Sequence, residues 1–465
     1  MDPLDELITW AAAKGVKLNG IKPARMPGRG VGVVATRQIA VSFISPSCLP
    51  SLLPSPPPLS SPNIIVTHRT YSHHQKPGEV LLEVPTTCLR TTDTVPKALE
   101  LKLPRSISVH GLLAADLALS LDLDPTEDHQ APWNAVCPTP ADFATMPLQW
   151  PAELQALLPG PPAREMLAKQ QAKLARDWAD ASAAFAVPGN GDEDDDADDD
   201  DETPSPEDHY RYAWLLVNTR TFYWYTAGTS SRGSKGRPKR RKVRPTDADS
   251  CMCLQPVADL FNHGDDEACG VAFDDDGYAV RAARAFALGE EVRISYGRHP
   301  GDFLLVEYGF AMADGNRWDE VALDDVLLPR FSAEQRALLE EVGFLGRYVL
   351  DCNFDVGSPS DGEVVCYRTQ VAVRLLCCGD GVAEWRRFVD GVDDGEATQG
   401  MVDELLEEVL EEYKGKAEKR IREIEGLKGV GEPEQRAVLT KRWKQIRDLL
   451  AANIARLQER YGDSE

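Results

Sequence analysis

Two stretches decide the reading: ADLFNHGDDEACG at residues 258–270 and VRISYGRHPGDFLLVEYGF at residues 292–310. In the first, Asn262-His263 follows the apolar-flanked Asp259-Leu260-Phe261. In the second, Ile294-Ser295-Tyr296-Gly297 is followed, twelve residues after Tyr296, by Tyr308-Gly309-Phe310. From Asp249 to Phe310 the pattern predicts short strands and turns. Taken singly, His263 reads as a hydrogen-bonded core histidine and each tyrosine as a strand-end aromatic. Their fixed order is what gives the stretch a functional meaning.

Upstream, GRGVGVVATRQIA at residues 28–40 predicts a Gly-rich turn followed by a strand, and GEVLLEVPTTCLR at 78–90 predicts another strand. The glycines of Gly28 to Gly32 let a backbone approach a ligand closely, or simply make a tight turn. Between the two strands, residues 41–76 contain no Asp or Glu, seven Pro and eight Ser, in a chain that has 75 acids. That composition buries too little apolar surface to fold by itself. Two readings follow: a disordered insertion, or a retained intron whose removal would join Gln38-Ile39-Ala40 to Pro77-Gly78-Glu79.

Residues 101–186 are helical in pattern, with Leu112, Leu113, Ala115, Leu117, Leu119 and Leu121 in one segment. Met166, Leu167, Leu174 and Trp178 recur at helical intervals in another. Asp192 to Glu202 holds ten acids in eleven residues and predicts a solvated, disordered run. Residues 208–226 resume an aromatic, helix-length pattern. Eight Lys or Arg follow between Arg232 and Arg244, where Pro238 to Val243 resembles a nuclear-import signal. Toward the end, Leu405, Leu406, Val409, Leu410, Tyr413, Ile421 and Ile424 form one stripe. Val438, Leu439, Trp443, Ile446, Leu450, Ile454, Leu457 and Tyr461 form a second. The punctuation from Gly426 to Pro433 predicts a helical hairpin. At the start, Leu4, Leu7, Ile8 and Ala11 predict a short amphipathic helix rather than a secretory signal.

At 465 residues the chain has room for two or three domains. The net charge of −24 disfavours non-specific nucleic-acid binding and suits a basic protein partner. No apolar run approaches the ~18 residues of a membrane span. Ten cysteines without Cys-x-x-Cys or zinc spacing predict reduced intracellular thiols and no metal site. Nothing in the sequence predicts an oligomeric state.

The ordered motifs resemble SET-domain protein methyltransferases, specifically the subfamily of the Rubisco large-subunit and ribosomal-protein lysine methyltransferases. The resemblance covers most of the chain. It implies an α+β fold: a β-rich, pseudoknotted SET domain split by a helical insert, then an all-helical C-terminal domain. The expected division is 1–100 and 246–312 for the SET halves, 101–245 for the insert, and 320–465 for the helical, substrate-binding-like domain. It also implies S-adenosylmethionine as cofactor and a protein-lysine N-methyltransferase acting on a non-histone protein, in nucleus or cytoplasm.

Carried over by motif, Arg29, Gly30, Val31 and Gly32 would contact the cofactor through their backbone. Thr219-Arg220-Thr221-Phe222 resembles the family's Ser-Arg-x-Phe segment, which makes Arg220 the partner of the cofactor carboxylate. Asn218-Thr219 departs from the usual Ser there. Asn262 and His263 would hold the cofactor's amino-acid and adenine ends, with Phe310 near the adenine. Tyr308 would be the catalytic tyrosine, with Tyr296 lining the same channel. Carbonyls of Thr219, Arg220 and Asp259 would hold the amine. Alternatives are a catalytically silent SET adaptor and a histidine methyltransferase. The Tyr of Tyr308-Gly309-Phe310 favours lysine, because the histidine-directed relative lacks a Tyr there.

Overall fold

The computed structural model describes residues 2–40, 78–121, 123, 131–185, 204–224, 251–274, 276–313, 315–351, 364–379 and 381–462. The insertion at 41–76, the acidic run and the basic cluster lie outside these residues. The chain forms two compact units. One comprises residues 1–143 and 171–298, the other residues 144–170 and 299–465.

Among the described residues the first unit carries eight strands: β1 (Lys17–Leu18), β2 (Ile21–Met26), β3 (Gly30–Ala35), β4 (Val80–Pro85), β5 (Thr221–Tyr223), β6 (Met252–Leu254), β7 (Cys269–Phe273) and β8 (Gly277–Ala282). Four of them form an antiparallel sheet in the order β1-β4-β8-β7. β2 and β3 make a hairpin around the Gly-rich turn, with Met26 opposite Gly30. β5 and β6 pair separately. Burial alternates along part of each strand, since Leu82 and Val84 are buried on either side of the partly exposed Glu83, and Val280 and Ala282 on either side of the partly exposed Arg281.

The N-terminal helix, Pro3–Ala13, starts as its sequence requires. Asp2 accepts from the Leu4 amide at 3.0 Å, Pro3 opens the first turn, and Leu4, Leu7 and Ala11 are buried. Helices Val109–Leu121 and Pro206–Arg220 pack together through His110, whose ring stacks on Trp214 and whose Nε2 lies 3.0 Å from the Trp214 carbonyl. The helix-length pattern of 208–226 stops at Arg220, and Thr221 to Tyr223 are strand. The β-branched and aromatic Thr-Phe-Tyr suits a pleated surface better than a helix.

In the second unit the predicted hairpin is present as helices Gln399–Gly426 and Pro433–Gly462. Leu406, Val409, Leu410 and Tyr413 share a core with Leu439, Trp443, Ile446 and Leu450. The Trp443 indole N–H donates to the Leu157 carbonyl at 2.8 Å. Two expectations need correction. The C-terminal region is not all helical, because β9 (Glu320–Ala322) pairs antiparallel with β10 (Val349–Asp351). Strands of three residues are too short to declare a period. The stretch ending in Tyr308 is also not strand but a helix, Gly301–Tyr308, capped by Gly309 at φ 77°. Its Phe-Leu-Leu-Val run is buried on every side, so no polar face marks it as helical.

Candidate functional site

In the first unit, backbone bonds stitch the Asn262-His263 turn to the segment leading to Tyr296. The Ile294 amide donates to the Asn262 carbonyl at 3.1 Å and the Gly264 amide to the Ile294 carbonyl at 2.9 Å. His263 and Ile294 thereby form a parallel bridge. The Tyr296 amide donates to His263 Nδ1 at 3.1 Å, which puts the ring proton on Nε2. The Tyr296 hydroxyl donates to the Phe261 carbonyl at 2.7 Å. Burial pushes the Tyr296 phenol well above its usual range, so it stays protonated.

The entry to this turn is strained. Val257 adopts φ 78°, a conformation that a β-branched side chain resists, just before the turn Ala258–Leu260. That turn delivers Asp259 to Arg220. Arg220 Nη1 donates to the Asp259 carbonyl at 3.0 Å and to Oδ2 at 2.9 Å. The Trp133 indole N–H donates to the same Oδ2 at 2.9 Å, while Oδ1 is buried without a hydrogen-bond partner among the described residues. Burial pushes the Asp259 carboxyl above its usual range, partly offset by Arg220 and Trp133. Burial works against the Arg220 charge, but Asp259 reverses this and holds the guanidinium firmly protonated.

Thr219 and Arg220 form the last turn of the helix Pro206–Arg220. Carbonyls of a last turn have no partner within their own helix, and the helix dipole is negative there. The Gly-rich turn meets Asn262 at Gly32. A Cβ on Gly32 would sit 2.8 Å from Asn262 Nδ2 and 3.2 Å from Glu291 Oε1.

The contacts above bring Arg220 to Asp259, Gly32 to Asn262 and His263 to Tyr296 within this unit. The sequence did not point to Trp133, Glu291 or the Phe261 carbonyl. Glu291 sits in Gly289-Glu290-Glu291, which reads as a surface charge pair, and only pairing with Asn262 reveals its role. Arg29 reaches the neighbourhood through its side chain, which pairs with Glu291 at 2.7 Å. Gly30 and Val31 open β3.

Tyr308 and Phe310 belong to the second unit. Tyr308 closes its helix half-buried, with its ring centroid 6.3 Å from Phe303 and 6.2 Å from Phe310. A Cβ on Gly309 would lie 2.7 Å from Met146 Cγ, so the left-handed residue between the two aromatics has no room for a side chain. Among the described residues no cluster of His, Cys, Asp and Glu could hold a metal, and no helix is long and apolar enough to cross a membrane.

Known proteins share this architecture. No family model matches the chain. It is 25% identical over 228 residues to ribosomal lysine N-methyltransferase set11 of Schizosaccharomyces pombe, covering 47% of this chain and 52% of that protein. The match thus spans about half the length of that relative. The chain is 26% identical over 348 residues to SET domain-containing protein 4 of Mus musculus, covering 72% of this chain and 73% of the relative. Among solved structures, Rubisco LSMT bound to AdoMet superposes with a TM-score of 0.53 at 13% identity, over 99% of this chain and 92% of that one. The SET domain of LSMT bound to lysine and AdoHcy gives 0.51 at 12% identity, with the same coverage. The chain has the SET fold of these proteins. The resemblance carried by Asn262-His263, Tyr296 and Tyr308-Gly309-Phe310 is borne out by sequence and fold alike.

Proposed function

We propose that this chain is an S-adenosylmethionine-dependent protein-lysine N-methyltransferase acting on a non-histone protein, with a basic ribosomal protein as the favoured substrate. The observation that carries the reading is the lacing of Asn262-His263 to Tyr296 beside the Arg220–Asp259 pair, in a chain with the SET fold. The substrate class follows the name of the fission yeast relative and the charge of −24, which complements a basic partner.

The donor set fits the cofactor. Among the described residues both side-chain bonds of Arg220 leave from Nη1, which leaves its Nη2 edge to a carboxylate. Asn262 offers an acceptor for an ammonium. Bound S-adenosylmethionine would supply an electrophilic methyl group on a sulfonium. The protein has to deliver a neutral amine, because lysine is protonated near pH 7 with a pKa of about 10.4. Burial of the site lowers that value by disfavouring the charged form. The Thr219 and Arg220 carbonyls at the helix end accept N–H bonds from the arriving amine. The Asp259 carbonyl is shared with Arg220. Tyr296, fixed at both its amide and its hydroxyl, forms a rigid wall. Tyr308 is assigned as the catalytic tyrosine by its Tyr-Gly-Phe motif.

Transfer of labelled methyl from S-adenosylmethionine to a methylation-deficient lysate tests this, comparing wild type with Tyr308→Phe and hydrolysing the labelled protein. Label in methyl-lysine that falls in the variant supports the reading. Label in methyl-histidine moves the chain to histidine chemistry. No transfer and no cofactor binding makes it a silent adaptor.

A further inference from the structure

We propose that Glu291 is the positioning residue that sets which end of the Asn262 amide faces the cofactor. This rests on the methyltransferase reading above, and extends it to a residue outside the motifs.

The Glu291 side chain is 7% exposed and accepts from three donors. Asn262 Nδ2 donates to Oε1 at 2.8 Å. Arg29 Nη1 and Arg293 Nε donate to Oε2 at 2.7 and 2.9 Å. The backbone fixes the carboxylate in place, because the Val292 amide donates to the Val33 carbonyl at 2.8 Å and the Ala35 amide to the Glu290 carbonyl at 2.9 Å. Glu291 therefore joins three pieces of chain: the Gly-rich turn, the Asn262-His263 turn and the segment entering Tyr296.

An amide has a donor end and an acceptor end of nearly the same shape, and nothing in its own sterics chooses between them. An ionised carboxylate accepts only. It commits the Asn262 nitrogen to Glu291 and leaves Oδ1 as the end presented elsewhere. That end suits an ammonium and repels a carboxylate. The bare face of Gly32 belongs to the same device. Its missing side chain makes room for the Asn262–Glu291 pair, with both atoms inside the contact distance of a Cβ.

The consequence is a specific pattern in a partner exchange, read by calorimetric binding of S-adenosylhomocysteine. Glu291→Gln can donate as well as accept, so Asn262 loses its fixed orientation and affinity falls about tenfold or more. Adding Asn262→Asp restores the arrangement. The introduced glutamine amide then donates to one oxygen of the introduced carboxylate and the other oxygen faces the ammonium, so the double variant recovers most of the lost affinity. A residue that merely braces the hairpin would show no such rescue. The inference is overturned if Glu291→Gln binds as wild type, or if the double variant binds no better than the single one. Wild type failing to bind S-adenosylhomocysteine is a different result, which removes the methyltransferase reading itself.

Discussion

The guanidinium of Arg442, which has no exposed surface, donates from Nη1 to Asp319 Oδ2 at 2.6 Å. Its Nε donates to Asp302 Oδ1 at 2.7 Å. Asp302 stands in the first turn of the helix that ends at Tyr308, and the Gly301 amide donates to Asp319 Oδ1 at 2.8 Å. A side chain at Gly301 would collide with the guanidinium. One residue of the long C-terminal helix thus neutralises two buried acids and fixes the start of the Tyr308 helix.

Arg442→Met removes the cation and leaves both carboxylates buried. Stripping one partner from a buried pair costs about 3–5 kcal/mol, because the remaining charge is uncompensated. Urea unfolding should show a loss of that size. A loss under about 1 kcal/mol would mean that the acids find other partners and that the triad does not organise this helix.

The Asn262–Glu291 contact makes a pH prediction. Burial pushes the Glu291 carboxyl up, but the bonds from Asn262 and Arg293 and the charges of Arg293 and Arg29 bring it below the ordinary value of 4.5. A depressed acid contributes stability that is present above its ordinary value and is lost as pH falls through the lower, folded value. Wild type should therefore melt a few degrees above Glu291→Gln at pH 7, a difference on the order of 1 kcal/mol. The gap should narrow as the pH drops below 4.5. Melting curves across that range check it, and a gap that widens toward acid pH would reverse the sign argued here.

Two glycines of the same turn should fail for different reasons. Gly28 has φ 69° and, among the described residues, nothing within 4 Å of a Cβ, so Gly28→Ala suffers backbone strain of about 1–2 kcal/mol. Gly32→Ala drives a methyl against Asn262 Nδ2 and Met26 Cγ, each 2.8 Å away. Gly28→Ala should lower the melting temperature. Gly32→Ala should lower affinity for S-adenosylhomocysteine far more than it lowers stability. Equal binding losses in both would show that the turn acts as a single brace.

What the sequence revealed follows from how far each signal reaches along the chain. Asn262, His263 and Tyr296 were legible because their identities and spacing sit inside one short stretch. The C-terminal hairpin was legible because its stripes repeat over many turns. The helix ending at Tyr308 was not, since Phe303 to Val306 are buried all round and carry no period. Arg220 was named for a ligand, but its partner Asp259 lies 39 residues away and only folding brings them together. Trp133, bonded to the same carboxylate, lies further off still. The acid at Glu291 was hidden by its neighbour Glu290, which faces Arg284 as a surface pair does.

The flanks of residues 41–76 support a last prediction. Arg37 pairs with Glu79 and donates to Asn19 Oδ1 at 2.9 Å. Asn19 in turn donates to Glu79 Oε1 at 3.1 Å and to the Val80 carbonyl at 2.9 Å. Ile39 and Phe286 exchange backbone bonds at 3.0 and 3.1 Å, and the Ala282 amide donates to the Glu79 carbonyl at 2.9 Å. The chain before and after the segment is therefore tied to itself and to the same stretch between Ala282 and Phe286. None of these bonds involves the segment, and a shorter closure favours folding by about 2 kcal/mol. A variant lacking residues 41–76 should unfold cooperatively, melt at or above the full-length temperature, and bind S-adenosylhomocysteine equally well. Loss of cooperative unfolding would show that the segment holds these flanks together, rather than the Arg37, Asn19 and Glu79 side chains.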